Sequence, residues 1–172
     1  MSAAAPSTSR RRDKVYIIFL MSYVSTMLLF DAVPLYPVNF IPAPLIAAQE
    51  FYKEFFNDQL VATQPHWFHF FTYVELIYQL PVVLWAILAL STKSPKAPAH
   101  LLVWASVCFI TTVTCIYEFY ENQLMTETQK TGVIGAYGLY AVIFGVIGID
   151  MFCRIQKVLG TAASLGNEKK RS

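Results

Sequence analysis

The sequence predicts an all-α polytopic membrane protein: a four-transmembrane-helix bundle whose first connecting loop is long and contains a short helix. Three observations carry this. Only 14% of the 172 residues are charged, while 56% are hydrophobic and 15% aromatic; an average soluble domain carries ~25% charged residues. Four windows reach the ~20 mostly apolar residues that crossing a bilayer requires. Lysines and arginines fall on alternate sides of those windows, the pattern that sets membrane orientation.

The spans are expected at about 15–33, 67–90, 99–117 and 132–152. They are separated by Pro34, Pro37, Pro42 and Pro44, by "STKSPKAP" at 91–98 and by "EFYENQLMTETQK" at 118–130. Prolines and charge clusters of this kind end helices and sit badly in hydrocarbon. The first span has a basic flank, as a secretory signal does, but its apolar run is longer than such signals carry and no small-x-small site follows it. It is therefore expected to stay in the protein as a helix. The resulting organisation is a basic tail over 1–14, a membrane domain over 15–155 and a second tail over 156–172.

Eleven of the thirteen basic residues lie on one side of this arrangement: Arg10, Arg11, Arg12, Lys14, Lys93, Lys96, Arg154, Lys157, Lys169, Lys170 and Arg171. Lys53 and Lys130 alone lie on the other, among Glu50, Glu54, Asp58, Glu118, Glu121 and Glu127. Both termini are thus expected in the cytosol. The chain ends Lys169-Lys170-Arg171-Ser172, and two lysines at the third and fourth positions from a cytosolic carboxyl terminus form a dilysine retrieval signal of the endoplasmic reticulum membrane. The alternative is a basic tail that anchors the last helix.

The first lumenal loop runs 33 residues from Pro34 to His66. Its middle carries Leu45, Ala48, Tyr52, Phe55 and Phe56 near helical spacing, with Gln49, Lys53 and Asn57 elsewhere. This predicts an amphipathic helix that either covers a cavity mouth or packs at the interface.

Three carboxylates fall in or at the edge of the apolar runs, where acids are costly and face a bundle interior, a partner or water. Asp150 has Arg154 one turn later, and that i,i+4 pair accounts for it. Asp31 closes the first span. Glu75 lies eight residues in from Trp67, about 12 Å deep at 1.5 Å per residue, so both acids occupy the lumenal half. Thr72, Glu75 and Gln79 share one helix face. Two acids in one apolar site disfavour double ionisation and can hold a shared proton. Such a cavity suits an amphiphile carrying an amine, or a hydroxyl on a large apolar body; the alternative is that the acids lock helices together by hydrogen bonds. Ser106, Thr111, Thr112 and Thr114 in the third span, and Tyr137, Tyr140, Gly138, Gly145 and Gly148 in the fourth, fit a cavity or close packing. Cys108, Cys115 and Cys153 have no metal-ligand or disulfide spacing and read as packing residues. No metal, cofactor or nucleic-acid partner is expected.

The stretches "LLFDAVPLYPVNF", "FYKEFFNDQL", "WFHFFTYVELIYQLP" and "SVCFITT", with the pattern Glu75, Gln79, Leu80, Pro81, resemble the sigma-2 receptor family. That family lies within the EXPERA group, which includes the sterol Δ8–Δ7 isomerase called emopamil-binding protein. The resemblance implies an endoplasmic reticulum protein whose deep pocket binds sterols and amine-containing amphiphiles. By comparison it assigns Asp31 and Glu75 as pocket acids, Gln79, Thr112 and Tyr140 as lining, and Tyr52 and Asp58 as residues near the mouth. It also implies homodimers and association with sterol-handling membrane proteins.

The leading expectation is a non-enzymatic binder of sterols and cationic amphiphiles acting in sterol trafficking or homeostasis. One alternative is a sterol isomerase, but the isomerase branch carries a histidine one turn before its second-helix glutamate; Phe71 stands there, and His66 and His69 lie at the lumenal edge. A second alternative is a membrane scaffold that retains partner proteins. A proton-coupled transporter is disfavoured by the absence of an internal repeat.

Overall fold

The computed structural model describes the backbone of residues 7–171 and the side chains of 10–164, apart from 34 and 38. Among these residues it is all helix and turn, with four helices long and apolar enough to cross a membrane. The first is α1 (Ser7–Thr26), prolonged by a wide π turn at Met27–Asp31. A proline-rich turn region leads into α2 (Ala43–Phe56) and the one-turn α3 (Gln59–Thr63). The second span is α4 (His66–Val74) and α5 (Leu80–Ser91), joined by a π turn at Glu75–Gln79. The third is α6 (Ala97–Glu121) and the fourth α7 (Glu127–Arg171).

The described parts of the two expected tails are helical. Residues 10–14 form early turns of α1, because arginine and lysine are good helix formers once clear of lipid. Past Arg154, α7 runs on to Arg171 with no proline to stop it. Its 45 residues make a rod of about 68 Å, more than twice the ~30 Å of a hydrocarbon core. Lys169 and Lys170 lie on this helical backbone; their side chains fall outside the described residues.

The core has two parts. Near the termini, Leu20, Met27, Val83, Leu101, Trp104, Phe144 and Met151 pack as one cluster from all four spans. At the opposite end, Leu60, Cys115, Phe119, Met125 and Val133 form a second. Gly148 lies against Ala105 and Gly145 against Phe109, so α6 and α7 approach closely there, whereas Gly138 meets nothing. Ser106 and Thr114 return their hydroxyls to the carbonyls of Leu102 and Ile110 at 2.8 and 2.9 Å. They face outward without leaving a polar group unsatisfied in lipid.

Both π turns have local causes. In the second span Pro81 has no N–H to give the Ile77 carbonyl, and its ring crowds that carbonyl. The ladder steps to a wider bond, Leu80 N–H to Glu75 O. In the first span Ala32 N–H reaches Met27 O at 2.9 Å, just before the proline-containing turn at Val33–Leu35. Asp31 ends one wide turn and Glu75 begins the other.

Candidate functional site

Between the two core clusters lies a cavity of about 320 Å³ to which every span contributes, a size within the range of small-molecule sites. Asp31 and Glu75 line it together with Tyr23, His69, Thr112 and Tyr140, and among the described residues no lysine or arginine is in its wall. The four ion pairs among the described residues involve neither acid. The wide turns place both carboxylates in this one space, and π turns recur at functional sites because they re-aim side chains at local cost.

The floor is built from side chains hydrogen-bonded to one another. Gln79 is 1% exposed and lies beneath the lining rather than in it. Its Oε1 accepts the Tyr23 hydroxyl at 2.6 Å and the Cys108 thiol at 3.2 Å, and both of those residues face the cavity. Gln79 Nε2 meets no partner among the described residues. The Tyr23 ring stands edge-on to Trp104 and Phe144, with centroids 5.4 and 5.7 Å away. Tyr23→Phe leaves Gln79 with only the weak thiol donor; it is expected to cost about 1–2 kcal/mol and lower Tm by roughly 3–6 °C in detergent.

The roof is α2. None of its residues is fully buried, yet it supplies Gln49 and Tyr52 to the cavity. Gln49 Nε2 donates to Phe30 O at 3.2 Å, tying the helix to the end of the first span. Gln49 therefore shares the inward side with Tyr52, contrary to the expected pattern. Spaced Leu45, Gln49, Tyr52, Phe56, these residues follow the helical period, and an interior polar wall favours glutamine there. The outward side carries Phe51 and Phe55, whose rings stack at 5.8 Å.

Asp58 is fully buried behind the cavity wall. It caps α3, accepting Leu60 N–H at 2.9 Å and Val61 N–H at 3.1 Å on Oδ1. Its Oδ2 takes the hydroxyls of Tyr52 at 2.8 Å and Tyr137 at 3.4 Å. One carboxylate thus joins α2, α3 and α7. Burial pushes its pKa above the ordinary 3.8, against the opposing pull of these four hydrogen bonds. Burial, reinforced by the neighbouring Asp58 charge, likewise raises the Tyr52 phenol.

Of the residues singled out from sequence, Asp31, Glu75, Thr112, Tyr140 and Tyr52 meet in the cavity wall. Gln79 and Asp58 stand just behind it. His69, read as an edge histidine, lines the cavity, as do Cys108, Cys115 and Tyr137. Cys153 is exposed rather than packed. Asp150 keeps the expected partner, Arg154, and gains Arg12.

Residues 44–151, well over half the chain, match EXPERA (EXPanded EBP superfamily). The chain belongs to the EXPERA family. This EXPERA protein is similar to sigma intracellular receptor 2 of Xenopus tropicalis, 26% identical over 147 residues that cover 78% of this chain and 84% of the other. To the human protein of that name it is 29% identical over 98 residues, 55% of this chain and 56% of the other. It is also similar to efficient mitochondria targeting-associated protein 19 of Schizosaccharomyces pombe, 24% identical over 161 residues, 92% of this chain and 85% of the other. The EXPERA match takes in α2, α3 and the cavity walls from α4 to α7; Tyr23 on α1 and Asp31 in the wide turn that prolongs it lie before the match begins.

Proposed function

We propose that this EXPERA protein binds sterols and amine-containing amphiphiles in the cavity, as a non-enzymatic component of sterol trafficking or homeostasis in the endoplasmic reticulum membrane. The observation that carries the reading is the presence of two carboxylates, with no cation among the described residues, in the wall of an otherwise largely apolar cavity. A protonated amine supplies the missing charge. A sterol hydroxyl donates to a carboxylate while the ring system fills the space between Phe71, Phe144 and Tyr140. Similarity to proteins named sigma intracellular receptor 2 supports a receptor-like role over a catalytic one. So does Phe71, which stands where the isomerase branch carries histidine; His69 lines the cavity but lies six residues before Glu75.

The test is binding of a labelled cationic amphiphile and a labelled sterol to the purified protein. Saturable binding of both, with mutual competition, is the expected result; absence of either at solubility-limited concentrations would overturn the reading. Retention in the endoplasmic reticulum is assigned to Lys169 and Lys170. Replacing both by serine is expected to move the protein to later compartments with ligand binding intact, as imaging and glycan processing of a tagged chain would show. An unchanged distribution would remove the retrieval assignment.

A further inference from the structure

On the face that carries both termini, the start of α1 and the far part of α7 are tied by an ionic cluster. Asp150 pairs with Arg12 and with Arg154 at 2.8 Å, Arg154 Nη1 reaches Asp13 at 2.6 Å, and the Tyr16 hydroxyl donates to Asp150 Oδ2 at 3.1 Å. The cluster forms part of a crevice lined by Arg12, Tyr16, Asp150, Arg154, Lys157, Cys153 and the aliphatic Val146 and Ile149. The ligand cavity uses none of these residues.

We propose that this crevice holds the phosphate of an anionic phospholipid, with the acyl chains running along Val146 and Ile149. Charge is the first argument. Arg12 and Arg154 balance Asp13 and Asp150, two charges against two, which leaves Lys157 without an ion-pair partner among the described residues. One uncompensated cation matches one phosphodiester anion.

Donor inventory is the second. Arg12 is about half exposed and spends one N–H on Asp150, which leaves four of the five guanidinium donors for phosphate oxygens. Asp150, the one carboxylate in the crevice wall, already accepts Arg12 on Oδ1 and Tyr16 and Arg154 on Oδ2, so it is poorly placed to take the ammonium of a zwitterionic headgroup. The crevice selects anionic lipid.

Apolar surface is the third argument, and it distinguishes a lipid from a soluble anion. Val146 and Ile149 are 54% and 68% exposed and lie two to three turns along α7 from Lys157, on the hydrocarbon side. A diacyl lipid contacts both regions at once; inorganic phosphate contacts only the cations. Phospholipid headgroups also sit at the depth where basic residues flank a span.

Cys153 supplies the readout, since it is exposed in the crevice wall while Cys108 and Cys115 are buried. The full-length protein is placed in phosphatidylcholine nanodiscs, with or without phosphatidylinositol, and the alkylation rate of Cys153 is measured. Native mass spectrometry counts the lipids retained. Phosphatidylinositol is expected to slow alkylation about fivefold and to remain bound, the effect of one lysine–phosphate contact near a membrane surface. Lys157→Gln, which breaks no ion pair of the cluster, is expected to abolish both effects while leaving Tm unchanged. Equal protection by phosphatidylcholine alone, protection that survives Lys157→Gln, or equal protection by inorganic phosphate would each overturn the proposal, the last by showing a site for soluble anions.

Discussion

Glu75→Gln and Asp31→Asn are each expected to weaken a cationic amphiphile by roughly 30- to 1000-fold, ~2–4 kcal/mol, the range for removing one partner of a desolvated charge pair. Sterol binding is expected to stay within about threefold, because a carboxamide oxygen still accepts a hydroxyl and neutral hydrogen bonds are worth only ~1 kcal/mol net. The separation of the two ligand classes is the informative outcome. Equal loss of both would mean that the substitutions deform the cavity; no loss of either would mean that the acids only join helices. The double variant is expected to cost amine binding less than the sum of the singles, since one ammonium shares both carboxylates as partners and the two substitutions remove a single joint interaction. Equilibrium binding to the purified proteins, with thermal unfolding as the control for folding, makes the comparison.

The largest loss of stability is expected at Asp58. Asp58→Ala removes the cap of α3, worth about 0.5–2 kcal/mol. It also strips the acceptor from the hydroxyls of Tyr52 and Tyr137, at ~1–3 kcal/mol for each buried group left unpaired. A total of about 3 kcal/mol or more is expected, with the roof helix released and ligand affinity falling in consequence. Asp58→Asn keeps the Oδ1 acceptor for the cap and puts an amide donor on the tyrosine side, which the phenol oxygens can accept, and is expected to cost ~1 kcal/mol. The pH dependence has a definite sign. With its folded pKa raised above the ordinary 3.8, the carboxyl takes up a proton on folding. Its contribution is complete below the unfolded value and declines as pH rises through the folded one. In Asp58→Asn that decline is expected to vanish from the Tm–pH profile, and an unchanged profile would show that some other group titrates.

The four spans were legible because hydrocarbon imposes a coarse rule, some twenty apolar residues between polar breaks, that composition reveals directly. Asp31 and Glu75 were legible for the same reason in reverse: an acid in an apolar run has few places to go. What lay beyond reading was anything decided by contact between distant segments. Gln79 carries the same polar signal as Glu75, yet it is sealed under the floor because Tyr23 and Cys108 from two other helices close over it. Cys108 gave no sign of its hydrogen bond, since sequence does not distinguish a packed thiol from one aimed at an amide. His69 looked interfacial from its position near a span end, yet it is half-buried and lines the cavity. Gln49 was the avoidable miss, since its spacing from Leu45 and Tyr52 already placed it on the inward side. The helical ends at both termini were missed because apolarity stops at the membrane surface and helix does not.

A π turn is, in register, a helix with one residue too many. Deleting a single residue between Glu75 and Gln79 would let the second span close into regular α-helix, turning everything on the Glu75 side by about 100° against the Pro81 side. Met27–Asp31 puts the same extra residue at the very end of the first span. The second span is thus two independently indexed half-helices, one fixing the packing around Val83 and the other aiming Glu75, while in the first span the wide turn aims Asp31 alone. Among relatives, single-residue insertions and deletions at these two places would re-point the cavity's chemistry and leave the rest of the bundle undisturbed, so alignments should be read there by turn rather than by residue.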